Sequence, residues 1–388
     1  MSGSVTRSVQ RSASGPAGGV GVGGRRVASA AGAVGAGDRV GDTLGVVGGW
    51  VAAGSHAPTI TAAATATVSR RRETRSTHRF LTLAAPLRRT RRLEGVHTRR
   101  VTTERAAGSP GTARTRDGLE LRTYEWPAVG TPRAHLLLIH GIAEHAGRYS
   151  HVAARLATAG ITTHAFDQRG FGGSGGHRAY IDRWSQYHDD LEDRLAAVRS
   201  ASRRLPVVLY GHSMGGLTAL GYVLADPPRP LPDLLVLSAP AIDAVVPAWK
   251  RATAFVLSGI APRFAVANSF TKGGLSSDPT VEAAYYADPI RVGRSTTRLG
   301  AEAFREQHRV QAAIARGGPL PVPTYVLHGA DDQIVPEWAS RSLDGRANLT
   351  RRVYPGLRHE THNEVSGAAV IDDTTRWIVA QLERIATR

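Results

Sequence analysis

The amino-acid sequence predicts one α/β domain, with a mostly parallel central sheet and helices on both faces. From about residue 116 onward, short apolar runs alternate with segments of helical periodicity, which is the pattern of parallel strands joined by covering helices. The first 115 of the 388 residues lack this alternation. The predicted organisation is therefore an N-terminal extension over residues 1–115 and a folded domain over residues 116–388.

The extension is rich in arginine, glycine and alanine, has few large apolar side chains, and carries most of the chain's net charge of +17. With little to bury against the entropy of ordering, we expect it to be disordered. Its arginines keep one non-enzymatic alternative open, the binding of an anionic surface or of nucleic acid. No nucleic-acid-binding motif accompanies them, so we expect no nucleic-acid partner.

The chain offers no clear membrane span or export signal. The uncharged stretch over residues 43–69 contains too many glycines and threonines for a spanning helix. The twin arginines Arg25 and Arg26 lead into no continuous apolar stretch, although export stays an alternative. We expect a cytoplasmic or peripherally membrane-associated protein. The chain has no cysteine, which excludes disulfides, thiol nucleophiles and cysteine-ligated metals.

The folded domain contains predicted strands and helices in regular alternation. Mainly apolar runs predict strands at residues 134–139, 161–166, 206–210, 234–237, 324–327 and 351–354. Apolar residues at helical spacing predict helices near residues 149–159, 187–198, 214–225 and 371–385. This order places helices on both faces of the sheet.

The alternation stops over about residues 242–307, where we predict a helical cap inserted between two strands of the sheet. The segment carries several large apolar groups, namely Trp249, Phe255, Ile260, Phe264 and Phe270. We expect them to roof a site at the edge of the sheet, and some to turn toward a lipid interface beside Lys250 and Arg251. The alternative is that they belong to ordinary core helices.

The sequence Gly211-His-Ser213-Met-Gly215 follows a predicted strand and precedes a predicted helix. In this context the pattern G-x-S-x-G forms a sharp turn that presents the serine at the carboxyl edge of the sheet. The two glycines are needed because the strand and helix backbones pass too closely for side chains. Ser213 is therefore the predicted nucleophile.

A serine nucleophile needs a general base, and the base needs an acid that orients it. Two later strands end at suitable groups: Asp331 and Asp332 follow one, and His359 and His362 follow the other. Open α/β sheets carry their sites at these carboxyl ends. The residues alone leave both choices open. No histidine has metal-ligand spacing with carboxylates, so we expect neither a metal nor a cofactor.

From about residue 118 the chain resembles the monoacylglycerol lipase and lysophospholipase branch of the α/β-hydrolases. Five motifs in order carry the resemblance: His140-Gly-Ile-Ala-Glu-His-Ala-Gly-Arg-Tyr149, Asp167-Gln-Arg-Gly-Phe-Gly-Gly-Ser-Gly-Gly176, Gly211-His-Ser-Met-Gly-Gly216, His328-Gly-Ala-Asp-Asp-Gln-Ile-Val-Pro336 and Tyr354-Pro-Gly-Leu-Arg-His-Glu360. The extension over residues 1–115 is not covered.

The resemblance implies an α/β-hydrolase fold and a role for each candidate residue. Asp332 corresponds to the catalytic acid and His359 to the base, which leaves His362 as a bystander or pocket residue. The backbone amides of Ile142 and Met214 correspond to the oxyanion hole. A side chain as bulky as that of Ile142 departs from the small residue often found there and bears on the width of the pocket.

The implied activity is that of a serine hydrolase that cleaves lipid carboxylic esters, with monoacylglycerol or lysophospholipid as substrate and an acyl-enzyme as intermediate. The same triad also serves serine aminopeptidases and acyltransferases, so these remain alternatives. A serine at the nucleophile position argues against dehalogenases and epoxide hydrolases, which use a carboxylate. The expected partners are a small lipid ester and a lipid interface contacted through the cap.

Overall fold

The computed structural model describes residues 108–268 and 270–387. Most of the predicted extension, residues 1–107, lies outside the described residues. Its last part is a strand, β1 (Ser109–Arg114), which pairs antiparallel with β2 (Glu120–Trp126). The boundary predicted at residue 115 is therefore wrong for these residues. The side chains of β1 are almost all exposed, so the strand carries no apolar alternation by which the sequence could reveal it.

The domain is built on an eight-stranded sheet with the order β1-β2-β4-β3-β5-β6-β9-β10. Its first two pairings, β1 with β2 and β2 with β4, are antiparallel, and the others are parallel. The remaining six strands are β3 (Ala134–Ile139), β4 (Ile161–Phe166), β5 (Val207–His212), β6 (Leu234–Ser238), β9 (Thr324–Gly329) and β10 (Leu349–Tyr354). The predicted mostly parallel sheet is confirmed.

Helices cover both faces of this sheet, as predicted. One face packs against α2 (Ser185–Ala201), α3 (Met214–Val223) and α6 (Thr297–Ala315), and the other against α1 (Ser150–Thr158) and α7 (Gly367–Ala386). Strand β3 shows the principle, since Leu137 and Ile139 belong to the first core cluster and Leu136 and Leu138 to the second. Because successive side chains point to opposite faces, a strand buried on both sides is apolar throughout.

The segment between β6 and β9 contains α4 (Ala248–Ile260), a two-stranded sheet of β7 (Ala265–Ala267) and β8 (Arg294–Thr296), and α5 (Pro279–Ala287). Helix α6 runs through residue 307, where the sequence predicted the insertion to end. Val310 and Ile314 of α6 belong to the same core cluster as the central strands, so this helix is part of the core. Among the described residues, no helix is long and apolar enough to cross a membrane.

Candidate active site

Ser213 lies in the turn between β5 and α3, with φ of 52° and ψ of −116°. Residues that carry a side chain rarely adopt these backbone angles, and such backbone strain is characteristic of functional sites. The flanking glycines make the turn feasible. A Cβ on Gly211 would lie 2.4 Å from the carbonyl oxygen of Gly215, and one on Gly215 would lie 2.4 Å from that of Ile139. The close passage predicted from the G-x-S-x-G pattern is present.

His359 connects Ser213 to Asp332. Its Nε2 lies 3.0 Å from Ser213 Oγ, and its Nδ1 lies 2.7 Å from Asp332 Oδ2. The backbone amides of Ile334 and Val335 donate to Asp332 Oδ1 at 2.8 Å and 2.9 Å. These bonds fix the carboxylate, which in turn orients the imidazole. The three side chains thus form one continuous hydrogen-bonded chain, although the serine lies 146 positions from the histidine in sequence.

The electrostatics of this chain suit a general base. Burial alone would disfavour the charged forms. For Asp332 the neighbouring His359 and His328 outweigh burial and hold the pKa of the carboxyl well below its usual range. Burial likewise opposes protonation of His359, but the Asp332 carboxylate outweighs it and raises the pKa of His359 above its ordinary value. Asp332 therefore stays ionised and stabilises a protonated His359.

The two residues that the sequence left as alternatives lie elsewhere. Asp331 is exposed, whereas Asp332 is buried against His359. His362 is buried and stacks on Tyr149 with ring centroids 4.9 Å apart. Burial holds the pKa of His362 well below its ordinary value. The geometry agrees with the positions that the resemblance implied.

The predicted oxyanion donors flank the nucleophile. Ile142 follows β3, and Met214 is the first residue of α3, where helix amides lack intrahelical partners. In the part of the chain that the structure describes, the Ile142 amide makes no hydrogen bond to a protein acceptor. The preceding residue, Gly141, is held closely, because its amide donates to Glu144 Oε1 at 2.6 Å.

A buried ionic network joins two loops near Ser213. One follows β3 and covers residues 140–149, here called the oxyanion loop, and the other follows β10 and covers residues 355–360, here called the histidine loop. Arg148 donates to Glu144 Oε2 at 2.5 Å and to both carboxylate oxygens of Glu360 at 2.7 Å. Glu360 directly follows His359, and the Tyr149 hydroxyl donates to Glu144 at 2.8 Å. Burial would raise the pKa of Glu360, but the Arg148 guanidinium lowers it far below its usual range. The sequence analysis assigned no role to Glu144, Arg148 or Glu360, although two of its motifs contain them.

A small cavity of about 20 Å³ opens beside Ser213. Three of its lining residues, Phe270, Leu275 and Tyr285, come from the segment between β6 and β9. The Tyr285 hydroxyl is buried and has no hydrogen-bond partner within the described residues. His145, on the oxyanion loop, is hydrogen-bonded to Asp288 at the end of α5 over 2.7 Å. The segment between β6 and β9 thus lines part of the cavity and is hydrogen-bonded to His145.

Of the five apolar residues expected to roof the site, only Phe270 lines the cavity. Trp249, Phe255, Ile260 and Phe264 are 57, 37, 78 and 57 % exposed, so they neither roof the site nor belong to the core. The inner face of α4 instead borders a second crevice of about 50 Å³ against α6 and the β7–β8 sheet. Its lining is mainly apolar and includes Val246, Ala254, Leu257, Val266 and Phe304.

No metal centre is found in this part of the chain. Within residues 108–268 and 270–387, no three histidine, aspartate or glutamate side chains are grouped so that they could hold an ion. The histidines near Ser213 contact one another and aromatic rings, and burial lowers the pKa of His212 to about 3.

Comparison with known proteins places these features in a family. The model of the serine aminopeptidase S33 family matches residues 130–366. A monoacylglycerol lipase of Mycolicibacterium smegmatis is 36% identical over 271 residues, which cover 66% of this chain and 92% of the relative.

Comparison with solved structures identifies the fold. The crystal structure of a Paleococcus ferrophilus monoacylglycerol lipase has a TM-score of 0.58 at 27% identity, covering 67% of this chain and 98% of that one. A monoglyceride lipase variant from Saccharomyces cerevisiae, in complex with a substrate analogue, has a TM-score of 0.63 at 22% identity, covering 70% and 94%, and supports the fold alone. The chain therefore belongs to the serine aminopeptidase S33 family, has the α/β-hydrolase fold, and is an enzyme of the carboxylic ester hydrolase class.

Proposed function

We propose that this enzyme hydrolyses lipid esters with a single long acyl chain, monoacylglycerols or lysophospholipids, through Ser213, His359 and Asp332. The observation that carries the proposal is the unbroken hydrogen-bonded chain from Asp332 to Ser213 Oγ, with the Ile142 amide unpaired beside it. The names of the relatives support the choice of substrate.

In the proposed mechanism, Ser213 Oγ attacks the ester carbonyl while His359 Nε2 accepts the hydroxyl proton. The bond from Nδ1 to Asp332 fixes the tautomer with a free Nε2 and stabilises the imidazolium that forms. The carbonyl oxygen becomes an oxyanion that accepts hydrogen bonds from the amides of Ile142 and Met214.

Collapse of the tetrahedral intermediate expels the alcohol, which takes the proton from His359 Nε2 and leaves an acyl ester on Ser213. Water then enters, gives its proton to Nε2 and attacks the acyl carbonyl, and the fatty acid leaves as Ser213 recovers its proton. Each proton moves through the same nitrogen, which is why the raised pKa of His359 matters in both halves of the reaction.

The walls of the cavity support an ester of a polar alcohol and an apolar acid. Phe270 and Leu275 supply apolar surface, and Tyr285 adds a phenol ring with a hydroxyl group to the same lining, which suits an alcohol such as glycerol. We propose that the insertion acts as a cap and that the apolar crevice under α4 takes the far part of the acyl chain. Each buried methylene would contribute about 0.8 kcal/mol.

We propose further that the exposed face of α4 contacts a lipid interface. Trp249 and Ile260 on α4 and Phe264 just after it are each more than half exposed. Lys250 Nζ lies 5.5 Å from the centre of the Trp249 ring, and Phe264 directly follows the exposed Arg263. An apolar surface bordered by cations suits a layer of anionic head groups. In this proposal the enzyme meets its substrate in or near a lipid layer and not as free monomers in water.

A second candidate function is that of an aminopeptidase, because the matched family is described as that of serine aminopeptidases. An aminopeptidase needs an acidic group for the α-ammonium of its substrate. The two glutamates that line the cavity, Glu144 and Glu360, are both already paired with Arg148. The described cavity therefore favours a neutral ester over a peptide with a free amino terminus.

The deciding experiment is to measure kcat/KM for p-nitrophenyl esters of two to sixteen carbons, for monoacylglycerol, for lysophospholipid and for aminoacyl amides. We expect specificity to rise steeply with acyl length until the crevice is filled, by about tenfold for every two carbons if both methylenes are fully buried. A flat profile, or a best substrate of two carbons, would leave a generic esterase. Faster cleavage of aminoacyl amides than of any ester would establish the aminopeptidase.

A further inference from the structure

His140 holds the peptide unit that contains the predicted oxyanion donor. Its Nδ1 lies 2.7 Å from the carbonyl oxygen of Gly141. That carbonyl and the Ile142 amide belong to the same peptide unit, and it is trans, since the one cis bond found between residues 108 and 387 is Asp226–Pro227. In a trans peptide the C=O and N–H point in opposite directions. A hydrogen bond from His140 to the carbonyl therefore directs the Ile142 N–H away from His140.

The second ring nitrogen of His140 fixes its tautomer. Nε2 lies 2.9 Å from the backbone nitrogen of Gln168, and that amide can only donate. The Gly141 carbonyl can only accept, so the proton of the ring is on Nδ1 and the ring is neutral. The Gln168 side-chain amide also donates to the carbonyl oxygen of His140 at 2.8 Å.

The surroundings preserve this state. The His140 side chain is fully buried, and burial lowers its pKa, so the imidazole stays neutral where His359 works as a base. Gly141 is held from the other side as well, by the bond from its amide to Glu144. A Cβ on Gly141 would lie 3.2 Å from Ser213 Cβ, which shows how near the nucleophile this peptide is.

We propose that His140 is a positioning residue that sets the orientation of the Ile142 amide, so that this donor already faces the oxyanion before the reaction begins. The inference rests on the proposed function, in which Ile142 supplies an oxyanion donor. His140 touches neither substrate nor reacting atoms. Its effect is electrostatic preorganisation, which is worth most when charge develops in the transition state.

Two amide substitutions separate the two hydrogen bonds of the ring. In His140→Asn the side-chain nitrogen can take the place of Nδ1 and still donate to Gly141. In His140→Gln the side-chain oxygen can take the place of Nε2 and accept from Gln168, but the donor to Gly141 is lost. The pair has similar polarity and differs in which bond is kept, so each variant is the control of the other.

We would measure kcat, KM and melting temperature, and the affinity for an alkyl trifluoromethyl ketone, which Ser213 converts to a hemiketal with an oxyanion. Loss of a whole oxyanion donor costs about 10²–10³ in kcat. We therefore expect His140→Gln to lower kcat and ketone affinity together by about 10- to 100-fold, with KM and melting temperature nearly unchanged. His140→Asn should recover most of both losses.

Three results would overturn the inference. The first is a His140→Gln enzyme with the kcat and ketone affinity of the wild type. The second is a stable His140→Asn enzyme that is as impaired as His140→Gln, or more so. If His140→Gln fails to fold, His140→Asn still tests the inference, because an unimpaired or mildly impaired His140→Asn enzyme supports it and a strongly impaired one contradicts it. The third is a wild-type protein inert toward every ester, which would remove the proposed function and is seen before any variant is made.

Discussion

The loops at the carboxyl edge of the sheet and the segment between β6 and β9 are built in opposite ways. At the edge, polar groups are buried and joined: Asp332 binds His359, and Arg148 is shared by Glu144 and Glu360. In the insertion, apolar groups such as Ile260 are exposed. Buried charges tolerate little movement, because an unpaired one is costly. An exposed apolar helix has no such constraint and is suited to meeting different partners.

The comparison predicts that the loops at the sheet edge and the insertion have separate functions. Changes at the edge should reduce turnover of every substrate alike, because all substrates use the same reacting atoms. Changes in the insertion should alter which substrate is preferred, or whether an interface is needed, and leave turnover of a short, water-soluble ester nearly intact. The predictions below test this division, beginning with the largest effect.

Ser213→Ala should abolish the hydrolysis of all esters and the labelling by a fluorophosphonate, with a loss in kcat on the order of 10⁶. The melting temperature should stay within a few degrees of the wild type, because the hydroxyl makes one hydrogen bond, to His359. Ser202→Ala, at the end of α2 where the hydroxyl donates to the carbonyl oxygen of Arg199, is the matched control and should stay active. Residual labelling of Ser213→Ala would place the nucleophile elsewhere.

Asp332→Asn should lower kcat by about 10⁴, because the amide favours the wrong tautomer of His359. Asp331→Asn provides a neighbouring control of identical chemistry, and its exposed side chain should matter little. Both variants should be compared on short and long esters. A larger loss in Asp331→Asn would reverse the assignment of the acid, and a loss confined to long esters would break the proposed division.

The pH profile reports the base. His359 must be neutral to accept a proton, so kcat/KM falls as the pH drops through the pKa of His359. Because that pKa is raised, the fall of kcat/KM on the acid side should have its midpoint, here called the acid limb, at a pH above the ordinary histidine pKa of about 6.5. Removing the carboxylate in Asp332→Asn leaves burial dominant, so the limb should move to lower pH. An unchanged limb in Asp332→Asn would contradict the electrostatic role assigned to Asp332.

Two sets of substitutions compare the inner and outer sides of the insertion. Phe270→Ala, at the cavity, should reduce the preference for long over short esters by about threefold to tenfold through lost apolar contact. Ile260→Ser with Trp249→Ser, on the exposed face, should leave kcat/KM for a short ester unchanged and reduce binding to vesicles of anionic lipid. Equal effects of both sets on the chain-length profile would show that the two sides do not act separately.

Truncation should have the smallest effect. Removal of residues 1–107 should leave activity and melting temperature close to those of the full chain, because the sequence offers few apolar groups there to pack on the domain. Removal of residues 1–114 also deletes β1, and should lower the melting temperature by about 2–4 °C for each kcal/mol lost. A large loss of activity in the shorter truncation would show that the extension contributes to the site.

The sequence predicted the central elements well because their information is local. The strands predicted at 134–139 and 161–166 have the bounds found for β3 and β4. Strands that are buried on both faces are recognisable as continuous apolar runs. The edge strand β1 and its neighbour β2 have exposed faces and were missed. The predicted end of the insertion at residue 307 divided α6, because its apolar residues follow a segment of irregular composition.

By itself, the sequence determined the fold class and located the turn at Ser213, the proposed nucleophile. Five residues are enough to indicate the turn at Ser213, because Gly211 comes close to the backbone of Gly215, only four positions further on. The close approach of Gly215 to Ile139 depends instead on the pairing of two strands. Only the tertiary structure brought Asp332 and His359 to that serine, buried Arg148 between two glutamates, and turned Trp249 outward. The contacts of His359 with Ser213 and Asp332, and of Arg148 with Glu360, join residues that are far apart in the chain. Their pairing depends on the register and packing of the whole sheet, which no local pattern encodes.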